Sequence, residues 1–279
     1  MTQDTVNKTE DFELQLLLEA IYSAYHYDFR GYSRASLKRR LNQACERMGC
    51  RTFSSLQDKV LHDPAVFPQM LGYLTVQVSD MFRDPSYFLA LREKVVPHLR
   101  TYPSLKVWVA GCSTGEELYS LAILFREEGL ESRTLFYATD INVEALAKAK
   151  AGVYDLNRIA LFSKNHRLSG GTGSLSEYYT AAYNAARFDN TLCRRTVFSD
   201  HSLVSDAVFS EMHLVSCRNV LIYFDRPLQD RAVGLFKDAL VRKGFLGAGA
   251  RESLRFNAHR HAFTEFLPDE RIYQRRSDA

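Results

Sequence analysis

Short apolar runs alternate with helical stretches from about Lys106 onward, and this alternation restricts the fold more than any other feature. Lys106–Gly111 (KVWVAG) reads as a buried strand, Glu116–Glu127 as a helix, Leu135–Ile141 (LFYATDI) as a second strand and Val143–Ala151 as a second helix. Strands separated by helices cannot pair as hairpins. Each helix must cross the sheet, which makes the neighbouring strands parallel. A third buried strand is expected at His213–Cys217, with later strand-like runs at Gly244–Ala248 and Arg271–Gln274. The expected architecture is a doubly wound α/β sheet. Between Phe162 and Phe198 the periodicity breaks into a tyrosine-rich stretch with Gly170, Gly171 and Gly173, which we read as a small antiparallel β insertion at about 163–198.

The chain before this region has a helical texture. Leu14, Leu17, Leu18 and Ile21 mark one apolar face, and Leu37, Leu41, Ala44 and Met48 mark another at helical spacing. Ser33 suits a helix N-cap, and Gly49 suits the left-handed residue that ends a helix. A helical domain over 11–84 followed by an α/β domain over 85–279 is therefore expected. Seven basic residues lie between Arg30 and Arg51 against the single acidic Glu46. Packing the second apolar stripe inward leaves Arg34, Lys38, Arg39 and Arg40 as a cationic ridge, either solvated or facing an acidic partner.

Over the whole chain 36 basic residues oppose 33 acidic ones, a balance of +3 that gives no argument for nucleic acid. Apolar runs such as Val107–Ala110 and Val220–Ile222 fall far short of the roughly 20 residues a spanning helix needs. The opening MTQDTVNKTE lacks a signal-peptide core, so a cytoplasmic chain without membrane insertion is expected. The five cysteines are irregularly spaced, with no C-x-x-C pair and no neighbouring histidine cluster, which indicates neither a disulfide framework nor a zinc site. Cys112 and Cys217 read either as nucleophiles or as small buried residues.

Chemistry concentrates where strands end. Val109-Ala110-Gly111-Cys112-Ser113-Thr114-Gly115-Glu116-Glu117 follows a strand and opens a helix, at the carboxyl edge where doubly wound folds hold ligands. It is neither G-x-G-x-x-G nor a Walker loop, so its spacing alone is weak evidence. Asp140 ends the second strand, where a carboxylate can accept both hydroxyls of a ribose. Loop and acid together suggest an adenosine ligand. Ser216-Cys217-Arg218-Asn219 ends the third strand and runs on into Val220-Leu221-Ile222-Tyr223-Phe224-Asp225. Ser79-Asp80-Met81-Phe82-Arg83-Asp84 stands at the junction of the two domains, where Arg83 alone would read as a surface arginine.

In this combination and order, AGCSTGEELYSLAI, ATDIN, SCRNVLIYFD and SDMFRD resemble the chemotaxis-receptor methyltransferase family, CheR type, over a span from Phe12 to Arg275. The resemblance implies a Rossmann-like fold that uses S-adenosylmethionine (SAM) and releases S-adenosylhomocysteine (SAH). It implies a basic helical N-terminal domain and an inserted β-subdomain. Carried over residue by residue, it places Gly111, Ser113 and Thr114 beside the methionine part of SAM, Glu117 in contact with the cofactor and Asp140 on the ribose. Ser202 and Leu203 match the adenine loop, where the family often has asparagine at the position of Ser202. Cys217, Arg218 and Asn219 line the floor. Gln77 and Ser79 stand where the family commonly shows N-x-T, and the resemblance implies that they and Arg83 contact the cofactor; Arg83 and Tyr223 match the family's catalytic pair. An aromatic wedge beneath the cofactor is the other reading of Tyr223.

The implied reaction is methyl transfer to glutamate γ-carboxylates on the cytoplasmic domain of a methyl-accepting receptor, met through Arg34, Lys38, Arg39 and Arg40. Such a nucleophile is already ionised near neutral pH, with a reference pKa of about 4.3, which accounts for motifs that contain no acid–base dyad. The same chemistry on a sensory receptor outside chemotaxis, and a SAM-binding adaptor without catalysis, remain as alternatives. A nicotinamide oxidoreductase is disfavoured by the glycine spacing.

Overall fold

The computed structural model describes residues 3–75 and 77–277. The chain divides into two compact units, Met1–Val76 with Tyr223–Gln229 and Gln77–Ile222 with Asp230–Ala279. The division falls before the expected boundary at residue 84 because the irregular segment after Gln77 is bonded into the second unit. There, Asp80 pairs with Arg158, the Met81 carbonyl accepts from Asn165, and the Phe82 amide donates to Ser120.

The first unit contains α1 (Gln3–Tyr25), α2 (Arg34–Met48), α3 (Phe53–His62) and α4 (Val66–Leu74). Leu14, Leu17, Ile21, Leu37, Leu41, Ala44, Val60 and Met70 are fully or almost fully buried, so the predicted stripes of α1 and α2 form the core, apart from half-buried Met48. Gly49 ends α2 at φ 65°, and its amide reaches back to the carbonyls of Cys45 and Glu46. Thr52 and Ser55 form a reciprocal capping box at the start of α3. Ser33 stands at the N-cap position of α2 without a side-chain cap bond; its amide instead donates to the Tyr223 carbonyl at 2.8 Å. That bond is part of a short antiparallel contact: Tyr32 bridges Phe224, and the Asp225 amide donates to Gly31 at 2.8 Å.

The second unit opens with α5 (Pro85–Ala90), a π-helical turn at Leu91–Val95 and α6 (Val96–Leu99). Then come β1 (Leu105–Ala110), α7 (Glu116–Glu127), β2 (Thr134–Asp140), α8 (Val143–Ala151), β3 (Val153–Asp155) and α9 (Ile159–Leu168). After β4 (Tyr179–Ala182), β5 (Ala185–Phe188), β6 (Thr196–Asp200) and β7 (Met212–Cys217), α10 (Arg226–Ala239) leads to β8 (Leu240–Ala248), β9 (Phe263–Leu267) and β10 (Ile272–Arg275). The first turn of α10 belongs to the helical unit and the rest to the second unit.

Seven strands form one sheet in the order β6-β2-β1-β7-β8-β10-β9, parallel from β6 to β8 and antiparallel beyond. In β1 five of six residues are buried, as expected for a parallel strand covered on both faces. Strand order reverses between β1 and β7, which creates the crevice where doubly wound folds bind ligands. The insertion needs correcting. Its sheet is β3-β5-β4, so it begins by Val153 rather than near residue 163, and it carries the helix α9. Thr196–Asp200 is not part of it but is the β6 edge of the large sheet, paired with β2 from Phe136 to Asp140. A three-residue strand such as β3 is too short to leave a periodic signal.

Candidate active site at the carboxyl edge of the sheet

The turn after β1 brings its backbone close to Val220. Gly111 has φ 71°, and a Cβ there would stand 2.6 Å from Val220, so only glycine fits. Ser113 also has positive φ, at 51°, and its Oγ is buried with no hydrogen-bond partner. Its amide donates to Asp140 Oδ2 at 2.8 Å, while Asp140 Oδ1 accepts from the Asn142 amide at 2.9 Å. The carboxylate thus ties the β1 and β2 turns together and keeps lone pairs available. Enclosure pushes its pKa above the ordinary value, against the backbone amides that pull it down. Thr114 is turned inward, its hydroxyl donating to Glu116 Oε2 at 2.7 Å.

Glu117 and Arg218 face each other across this edge. Glu117 Oε1 accepts from Ser216 Oγ at 2.6 Å and Oε2 pairs with Arg218 at 3.1 Å. Arg218 is buried, lies over the Tyr87 ring at 4.1 Å, pairs with Asp84 at 2.7 Å and donates to the Arg83 carbonyl at 2.9 Å. The pair therefore supports the floor on which Asn219, at φ 62°, is presented. In the β6 loop, Ser202 Oγ accepts from the Val204 and Ser205 amides, and Leu203 is buried. Burial pushes the thiols of Cys112 and Cys217 well above their usual value, which disfavours the thiolate a nucleophile would need.

Arg83 sits on a constrained backbone. Its neighbours Phe82 and Asp84 both have positive φ, at 51° and 58°. Such conformations persist only where surroundings over-determine them. Here Arg158 holds the Ser79 carbonyl and Asp80, Asn165 holds the Met81 carbonyl, Ser120 takes the Phe82 amide, and Arg218 holds Arg83 and Asp84. The Arg83 side chain is half-buried, with one long contact of 3.5 Å to the Val78 carbonyl. Gln77 and Ser79 are likewise half-buried. No spacing rule links Arg158 on the approach to α9, Glu116 on α7 and Asp84 beside Arg83, so the sequence alone assigns these three no role.

Tyr223 lies in the helical unit, half-buried, with the Arg40 guanidinium 4.2 Å from its ring centre. This corrects the cationic ridge. Arg40 is only 4% exposed and donates to the Leu74 carbonyl at 2.5 Å, while Lys38 pairs with Glu10 and Asp11 of α1. Arg40 stands beside Leu41 and Leu37 on the packed face, where burial lowers its pKa. Arg34 and Arg39 are exposed.

The cradle fits a SAM-type nucleoside: a buried unpartnered Ser113 hydroxyl and a strand-end carboxylate converge after β1 and β2. Fold and cradle define a SAM-dependent methyltransferase. Residues 77–267 match the family described as "CheR methyltransferase, SAM binding domain", and residues 13–75 match "CheR methyltransferase, all-alpha domain". The chain belongs to the CheR methyltransferase family, and its cofactor is SAM. It is 54% identical over 271 residues to the protein called Cher3 of Pseudomonas putida, covering 97% of this chain and 99% of that one. It is 28% identical to a "Chemotaxis protein methyltransferase" of Listeria innocua, over 81% of this chain and 84% of the relative. The protein of the same name from Klebsiella aerogenes is also 28% identical, over 87% and 83%. No helix among the described residues is long and apolar enough to cross a membrane.

Proposed function

We propose that this chain transfers the methyl group of SAM to glutamate γ-carboxylates on the cytoplasmic domain of a chemotaxis receptor, forming glutamyl methyl esters. The observation that carries the reading is the over-determined backbone around Arg83, which presents one guanidinium from a rigid turn. Bound SAM supplies an electrophilic methyl on a sulfonium. A carboxylate nucleophile is already ionised, so the protein's task is orientation and exclusion of water. Arg83 suits this because its planar fork holds a carboxylate by charge-assisted hydrogen bonds. Tyr223 contributes a hydroxyl donor that selects the attacking oxygen. Ser113, Asp140 and Asn219 hold the cofactor, and exposed Arg34 and Arg39 draw in the acidic receptor surface.

Transfer of labelled methyl from SAM to receptor cytoplasmic domains tests this reading. Label that is released by mild base identifies an ester. Base-stable label, or none on any receptor offered, would remove glutamate from the proposal.

A further inference from the structure

Glu252 lies in the loop after β8 and had no place in any motif. It is 4% exposed, and the groups that act most strongly on its charge are backbone amides. Its partners are backbone amides. Oε2 accepts from Asn219 at 2.9 Å and from Gly249 at 2.6 Å, Oε1 accepts from Ile222 at 3.2 Å, and the Leu221 amide adds a further bond. The Glu252 amide closes its own turn on the Gly249 carbonyl at 2.8 Å.

These contacts join two loops that leave neighbouring strands at one level, since Cys217 pairs with Ala248 in the β7–β8 ladder. One loop contains Asn219 in a left-handed conformation, which asparagine adopts more readily than other non-glycine residues. It continues into the single 3-10 turn Leu221–Tyr223, whose first amides have no acceptor within so short a helix. A carboxylate is acceptor-only with about four lone-pair sites, which matches four converging N–H groups. Gly249 is part of the device, because a Cβ there would stand 2.8 Å from Glu252 Oε2 and from the Asn219 amide. Burying a carboxylate opposes its ionisation, so packing alone does not account for the residue.

We infer that Glu252 is a positioning residue for methyl transfer: its carboxylate clamps the amides of the Asn219–Ile222 segment and thereby fixes Asn219 and the turn that ends in Tyr223. This rests on the reading of Tyr223 as catalytic.

The test is Glu252→Gln, which keeps the volume but replaces half the acceptors by an NH₂ that opposes the amide donors. Single-turnover methylation with saturating SAM and receptor should fall by about tenfold or more, with faster hydrogen exchange at the amides of 219, 221 and 222. A purely structural role would lower the melting temperature without coupling to chemistry. The decisive measurement is therefore the cycle with Tyr223→Phe, in which Glu252→Gln should cost less than about twofold once the tyrosine hydroxyl is gone. Gly249→Ala, which pushes the carboxylate away, should reproduce the pattern and serves if the Gln variant does not fold. Additive losses, or parental rates for both variants, would overturn the clamp. A parental rate for Tyr223→Phe alone would instead overturn the role given to Tyr223.

Discussion

Asp140 shows how a single carboxylate answers two demands. Enclosure raises its folded pKa above the ordinary 3.8, so in the free protein its contribution to stability is present below that value and is lost as pH rises through the folded pKa. The proposed ribose contact has the opposite sign, because ribose hydroxyls need an ionised acceptor. SAH affinity should therefore hold near neutral pH and fall as pH descends through the raised pKa, while Asp140→Asn should bind more weakly and with a flatter profile. Asp140→Ala should lose about 2–3 kcal/mol of SAH binding by calorimetry, the scale of hydrogen bonds to a charged group. Unchanged affinity would take the residue out of the site. Arg83 belongs to the same scale but to another step. With saturating SAM and receptor, Arg83→Ala should lose at least about a hundredfold in single-turnover rate, much more than it loses in SAH affinity. Arg83→Lys should recover little, since a point charge cannot reproduce a two-pronged fork. An Arg83→Ala rate equal to the parent's would eliminate the clamp.

At the scale of elements, α2 separates what periodicity reveals from what it hides. The spacing of Leu37, Leu41 and Ala44 identified its buried face, yet Arg40 sits on that face although its charge argues for solvent. The Leu74 carbonyl and the Tyr223 ring, both far away in sequence, meet its buried guanidinium. The surviving candidates for receptor steering are Arg34 and Arg39, and reversing both to Glu should reduce receptor methylation at low salt without altering SAH affinity. The difference should shrink as salt screens beyond about 8 Å at physiological ionic strength. Equal methylation at low salt would return these residues to plain solvation. Lys38→Glu is a poorer probe because it also breaks two ion pairs to α1. The strands and helices from β1 to α8 were legible for the same reason that Leu37 was, since burial on both faces of a parallel sheet writes long apolar runs. The short β3 and the clamp of Glu252 were not, because one is three residues long and the other acts on amides some thirty positions away.

For the whole molecule, the path of the chain matters more than the count of domains. It passes between the two units at Val76/Gln77, Ile222/Tyr223 and Gln229/Asp230, and α10 continues through the last of these without interruption. A segment that reads as part of the cofactor-binding domain thus completes the helical unit through Tyr32, Ser33 and Gly31. Unfolding either unit must pull on that segment, so the two should melt together. The single tryptophan, Trp108, reports on β1, and amide protection at Leu14, Leu17 and Ile21 reports on the core of α1. SAH at about a hundred times its dissociation constant should stabilise the native state by about 2.7 kcal/mol. For a chain of this size that corresponds to a rise of about 5 °C or more in melting temperature. Although Ser113 and Asp140 are in the second unit, the rise should appear equally in Trp108 fluorescence and in exchange at the α1 core. A split transition, in which SAH moves the Trp108 signal and leaves α1 exchange unchanged, would show that the shared segment does not couple the units.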